Sequence, residues 1–326
     1  MITRRGFLKT SLAGGLVALS PHSALLHLLS TPMGSAISAP LLEVESRETL
    51  ITILHTNDTH SQIDPLPAND TQYPDKGGVA RRAALVKRVR KENPNTLLID
   101  AGDVFQGTPY FNFYKGEVEY KSMSLIGYDV VTLGNHDFDN GVDGLVAAMK
   151  FANFDFVSSN YDVSGTPLAS RVNPYAVRVI GGIRVGLFGL GISPANLITP
   201  ENFKGVKYND PVKAARDVVA ALRGRERCAL VVGMSHLGYY PDARKGEIGD
   251  TQVAAQVDGI DFIASGHTHT FMKEPVITKT PAGGNTIIFQ VGRSGIYVGR
   301  VDMKLRAGKV VAAAGRLLDL RDESLA

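Results

Sequence analysis

Residues 49–60 read TLITILHTNDTH, and this stretch decides the fold. Seven of its first eight residues, all but His55, are β-branched or apolar with no helical spacing, the composition of a strand buried on both faces. Its last four, Asn57 to His60, are polar and carry two metal-binding side chain types. A buried strand that ends on such a cluster is the signature of an α/β sheet with a site at its carboxyl edge. Working outward, the same pattern recurs. TLLID (96–100) runs into GDVFQG (102–107), DVVTL (129–133) into GNHDFDNG (134–141), ALVVGMS (229–235) into SHLG (235–238), and DFIASG (261–266) into GHTHT (266–270). FDFVSS, VRVIG and IRVGLFGL add strands between residues 154 and 190. Helical spacing of apolar residues fills 77–92, 118–127, 141–152 and 211–225. After His269 the pattern turns to β, with NTIIFQVG, IYVGRVDMKL and KVVAAAGRLLDL. The class is α/β, with two packed sheets flanked by helices in one domain.

The five strand-end motifs hold Asp58, His60, Asp103, Asn135, His236, His267 and His269. In Asp58-x-His60 and His267-x-His269, extended backbone would turn alternate side chains to one centre. Any one of these residues alone could be a helix cap or a satisfied polar group. Together, in order and all at strand ends, they describe a metal centre. Nitrogen and oxygen donors without thiolate suit zinc, manganese, iron or cobalt, whereas calcium would call for more oxygen.

The order D-x-H, GD, GNHD, H, GHTH resembles that of the calcineurin-like metallophosphoesterases. ILHTNDTH, GDVFQG and GNHDFDNG are similar to the 5'-nucleotidase and UDP-sugar hydrolase branch, over roughly residues 50 to 306. The resemblance implies a four-layer α/β/β/α sandwich and two divalent ions that share an activated water for attack on phosphorus. It places Asp58, His60, Asp103 and His269 at one ion and Asp103, Asn135, His236 and His267 at the other, with Asp103 bridging. It also makes His136 the catalytic histidine and Asp139 the carboxylate that orients it, although Asp139 also suits a cap on the helix starting near Gly141. Asp137 stands where relatives often have Glu, a change not expected to matter. Asn57 is a candidate for orienting a ligand loop, and His55 a packing residue. The expected substrate is a small phosphate monoester, a nucleotide above all. The same site would also suit cyclic-nucleotide phosphodiester cleavage, a thiosulfohydrolase-like reaction or a metal-binding subunit without activity. Members of that branch carry a further nucleoside-binding domain. No second globular pattern follows Leu320, so the expectation is either a separate polypeptide that supplies this domain or broad specificity of this chain alone.

Composition narrows the remaining choices. The 326 residues carry 35 Lys and Arg against 32 Asp and Glu. Arg4, Arg5 and Lys9 account for the excess, so the rest of the chain is balanced and nucleic acid is not an expected partner. The single cysteine, Cys228, excludes an intramolecular disulfide. Residues 1–39 read as a leader: TRRGFLK, a short apolar run, then the small-residue stretch GSAISA. The paired arginines resemble the twin-arginine export signal. The expectation is an exported protein, periplasmic or extracellular, with no stable membrane anchor and a catalytic domain over residues 40–326.

Overall fold

A computed structural model describes residues 48–240 and 246–321. The leader expected over residues 1–39 lies outside them. The elements run β1 (Thr49–Thr56), α1 (Val79–Glu92), β2 (Thr96–Asp100), α2 (Pro109–Tyr114), α3 (Glu117–Ile126), β3 (Val130–Val131), α4 (Gly141–Ala148), β4 (Asp155–Val157), β5 (Tyr161–Asp162), β6 (Val172–Asn173), β7 (Tyr175–Ile180), β8 (Ile183–Gly191), β9 (Lys207–Tyr208), α5 (Pro211–Gly224), β10 (Leu230–His236), α6 (Asp250–Gln256), β11 (Phe262–Ser265), β12 (Val276–Lys279), β13 (Asn285–Phe289), β14 (Tyr297–Arg306) and β15 (Lys309–Asp319). All the strands and helices read from the sequence are present, within a few residues at each end. Missed were α2, α6, β12 and the two-residue strands β5, β6 and β9. Each is too short to develop a period, and β12 is largely exposed, so burial left no mark on its sequence.

Two large sheets form. One has seven strands in the order β15-β14-β1-β2-β3-β4-β6, the other six in the order β12-β13-β11-β10-β8-β7. β1 pairs in parallel with β2 and antiparallel with β14, and β10 lies in parallel between β8 and β11. Strand alternation divides the core. Ile51, Ile53, Leu97 and Ile99 face the second sheet and pack with Leu187, Val232 and Phe262. Leu54 and Leu98 point the other way, into a cluster with Leu85, Val89, Tyr120 and Leu145 from α1, α3 and α4. On the far side of the second sheet, α5 contributes Val212, Ala215, Val219 and Leu222 at helical spacing. The layers are therefore helix, sheet, sheet, helix, as expected.

The inter-sheet core contains one misfit. His55 is wholly buried against the edges of Phe262 and Phe289, with ring centroids 5.5 and 5.3 Å away, over the bare backbone of Gly299. Neither ring nitrogen has a hydrogen-bond partner. Burial pushes its pKa down to about 3, so the fold holds the neutral ring. The unfolded chain, with an ordinary value near 6.5, takes up a proton that the folded chain refuses. Stability from this group is complete above pH ~6.5 and falls by up to ~1.4 kcal/mol per unit as pH drops towards 3. Replacing His55 by Leu removes both the unpaired nitrogens and this slope. In metal-free urea unfolding, His55→Leu should exceed the parent by about 1 kcal/mol at pH 7.5 and by about 2 kcal/mol more at pH 5. A gap that does not widen on acidification refutes this account.

Candidate metal centre

The loops after β1 and β2 stay paired beyond their strands. Asp58 N–H donates to Gly102 O at 2.9 Å, His60 N–H to Asp103 O at 3.1 Å and Ser61 N–H to Val104 O at 2.8 Å. This ladder sets Asp58 and His60 against Asp103. The third loop nests on the second because two glycines allow it. A Cβ on Gly102 would lie 2.5 Å from Gly134 N, and one on Gly134 would collide with the Asp103 carboxylate. The second sheet delivers His236 from the end of β10, and His267 and His269 from the loop after β11. The carboxyl ends of strands from both sheets thus meet at the site.

The ligand pairs are not extended, contrary to expectation. Asp58, His60, Asp103, His267 and His269 have φ of 49, 48, 55, 69 and 52°. Left-handed backbone at a non-glycine residue costs of order 1 kcal/mol. The cost is met by bonds that over-determine the loops. Asn57 Nδ2 donates to Asp58 Oδ2 and to Gly292 O, both at 2.6 Å, and Asp58 also accepts His267 N–H at 3.0 Å. Asn57 thus orients a ligand loop. Asp137 reaches back to accept N–H from Asp103 (3.1 Å), Val104 (3.1 Å) and Gly134 (2.8 Å), clasping two motifs with one carboxylate. Burial, then the nearby Asp103, push its pKa up to about 7. Gln290, just past β13, donates to Ser265 Oγ and Gly266 O at 2.6 Å and accepts from Thr270 N–H, pinning GHTHT at both ends. Sequence reasoning passed over Gln290. The signal was there, since it is one more polar residue at the end of a buried strand.

All nine residues singled out for the site come together. Asp58, His60 and His269 form one group and Asp103, His236 and His267 another, with ligand atoms in each group within 4.8 Å of one another. Asn135 joins the second through Oδ1, 3.1 Å from His267 Nδ1. His136 and Asp139 sit at the mouth, with Nδ1 and Oδ2 2.9 Å apart. Asp139 therefore serves His136 rather than capping α4, whose N-cap is Asn140. The His136 ring is the more accessible, about a third exposed. Its hydrogen bond to Asp139 raises its pKa against the opposing effect of burial.

The donor set fits divalent cations. His236 Nδ1–H donates to Ala101 O at 2.7 Å and His60 Nδ1–H to Phe105 O at 3.2 Å, which leaves both Nε2 lone pairs facing inward. There His236 Nε2 lies 3.0 Å from Asp103 Oδ2, and His60 Nε2 lies 3.0 Å from His269 Nε2. His236 Nε2 is wholly buried and makes no hydrogen bond of acceptable geometry. Lone pairs opposed at this distance repel unless positive charge lies between them. Burial works against a charge on His236, yet the facing Asp103 and Asp58 carry its pKa up to about 10. Burial would likewise raise Asp103, but His236 reverses this and holds its carboxyl well below the usual range. The pocket demands positive charge, and imidazole and carboxylate donors without thiolate match zinc, manganese, iron or cobalt.

Comparison with known proteins agrees with this geometry. The profile of the calcineurin-like phosphoesterases matches residues 51–271. The chain belongs to the calcineurin-like phosphoesterase family. Among curated members, rat 5'-nucleotidase is 33% identical over 81% of this chain and 48% of its own length. A snake venom 5'-nucleotidase from Gloydius brevicauda is 30% identical over 91% and 52%. The chain thus spans about half the length of these relatives. A 5'-nucleotidase precursor from Thermus thermophilus superposes with TM-score 0.75 at 35% identity, covering 83% of this chain and 54% of that one. The calcineurin-like phosphoesterase YfkN from Bacillus subtilis shares the fold, with TM-score 0.67 at 24% identity, covering 85% of this chain and 92% of that one.

Because Asp137 holds the loops of two ligand motifs without entering either donor group, its loss should loosen the centre and leave the donors in place. Asp137→Ala should weaken Mn²⁺ or Zn²⁺ binding by about 10- to 100-fold in calorimetric titration. Retention of full affinity would show that the backbone ladder alone fixes the loops.

Proposed function

We propose that this protein is a two-metal phosphomonoesterase acting on nucleotides. The observation that carries this reading is the convergence of two donor groups beside a half-open His136–Asp139 pair. The names of the 5'-nucleotidase relatives support the choice of substrate.

Bound divalent cations would lower the pKa of a water and neutralise phosphoryl oxygens. Asp58, His60, Asp103 and His269 would hold one and Asp103, Asn135, His236 and His267 the other. The chain itself supplies the rest. The His136 ring faces the mouth, where its Nε2 can hold a proton for a phosphoryl or departing oxygen. Asp139 fixes the tautomer by accepting from Nδ1. Asn57, Asp137 and Gln290 keep the donor loops from relaxing, so geometry is in place before substrate arrives. We also propose that the chain is exported, on the strength of the Arg4–Arg5 leader. Among the described residues, no helix is long and apolar enough to cross a membrane.

Purified protein should hydrolyse AMP and p-nitrophenyl phosphate, lose activity on chelation and regain it with Mn²⁺ or Co²⁺. Monoesters should be cleaved faster than bis(p-nitrophenyl) phosphate. A faster diester would make the protein a phosphodiesterase, and inertness towards all phosphoesters would overturn the reading. His136→Asn should lower kcat by about 10²- to 10⁴-fold while metal affinity stays near that of the parent, which separates chemistry from ligation.

A further inference from the structure

A cavity of ≈ 510 Å³ opens over the His60, His136 and His269 end of the centre. Its outer wall is the segment 62–73 on one side and the turn 292–295 on the other. That turn is anchored on the centre itself, because Ser294 N–H donates to Asp58 O at 2.7 Å. Arg293, the residue before, lines the cavity and is exposed. It is the one permanent cation among the lining residues. Among the described residues it forms no ion pair or hydrogen bond through its side chain. The acidic residue on the same lining, Asp70, does not answer it. Its Oδ1 accepts the N–H of Gln72 and Tyr73 at 2.9 and 2.6 Å, bonds that build the opposite wall. Those two bonds are the main reason its pKa is lowered, and the field of Arg293 is the least of the influences on it. The cavity therefore has three imidazoles at its inner end and an uncommitted guanidinium further out, with the amides of Gln62, Gln72 and Gln106 among its other lining groups.

We infer that Arg293 is a specificity residue that selects substrates whose leaving group is itself a phosphate, such as nucleoside diphosphates. The inference rests on the phosphoesterase reading of the centre. The terminal phosphoryl group would occupy the inner end and the next phosphate would reach the guanidinium, a planar donor fork suited to phosphate oxygens. In the reaction, the water oxygen forms the new bond to the terminal phosphorus and the bond to the bridging oxygen breaks. The electron pair stays on that oxygen, and the proton lost by water passes to it or to solvent. The charge that grows on the departing phosphate is then the charge that Arg293 faces. A nucleoside monophosphate, whose leaving group carries no phosphate, gains nothing from it.

The test measures kcat/KM of Mn²⁺-loaded protein for ADP, AMP and p-nitrophenyl phosphate in the parent, Arg293→Gln and Arg293→Lys. The ADP-to-AMP ratio should fall at least about tenfold in Arg293→Gln and recover in part in Arg293→Lys. Thermal stabilisation by methylenediphosphonate, which needs no turnover, should shrink in Arg293→Gln. An unchanged ratio, or an equal loss on all three substrates, overturns the inference, as does an unchanged methylenediphosphonate shift. If the parent hydrolyses none of the three, the phosphoesterase reading fails, and methylenediphosphonate binding still reports on Arg293.

Discussion

The structure is organised around a repulsion. Buried carboxylates and inward-facing imidazole lone pairs are pressed together at the seam of two sheets, where water cannot screen them. Asp58, Asp103 and His236 are all almost completely inaccessible, and such a group of donors is tolerable only with positive charge in its midst. The features around the centre serve to hold that arrangement. The strands end there, the loops continue their pairing past the strand ends, and side chains behind the donors keep the backbone in left-handed conformations that it would otherwise leave.

Holding it takes contributions from distant parts of the chain. Asn57 ties the first motif to the turn after β13, Asp137 ties the second to the third, and Gln290 spans the last. Each is a buried polar side chain whose hydrogen bonds tie a donor-bearing loop to a neighbouring segment. This is why the site tolerates strained φ angles at five donors. The surrounding bonds fix the loops more strongly than local preference can release them.

Most of this was legible in the sequence. Long strands such as β1, β8 and β10 announce themselves because burial on both faces demands runs of apolar and β-branched residues. The donors were readable because they lie directly after those runs. What escaped was of two kinds. Elements such as β12 and α6 are short or half exposed, so nothing in their composition had to be periodic. The left-handed turns at Asp58 and His267 escaped because Asp and His, unlike glycine, do not announce positive φ. Their conformation is imposed by partners far away in sequence, such as Gly292 and Gln290, which a local pattern does not reveal. Arg293 stayed hidden for the same reason, since only the folded turn places it over the centre.

The pairing of β1 with β14 has a consequence for how the protein comes into being. β1 leads into the loop with the first donors, yet one of its two neighbours is a strand some 250 residues later, with Thr49 opposite Leu305. On a ribosome the nascent chain has its earliest ligands exposed long before the strand that flanks them exists. Contacts of such separation carry a large loop-closure penalty and form late. The framework behind the first donors is thus complete only once β14 has joined β1.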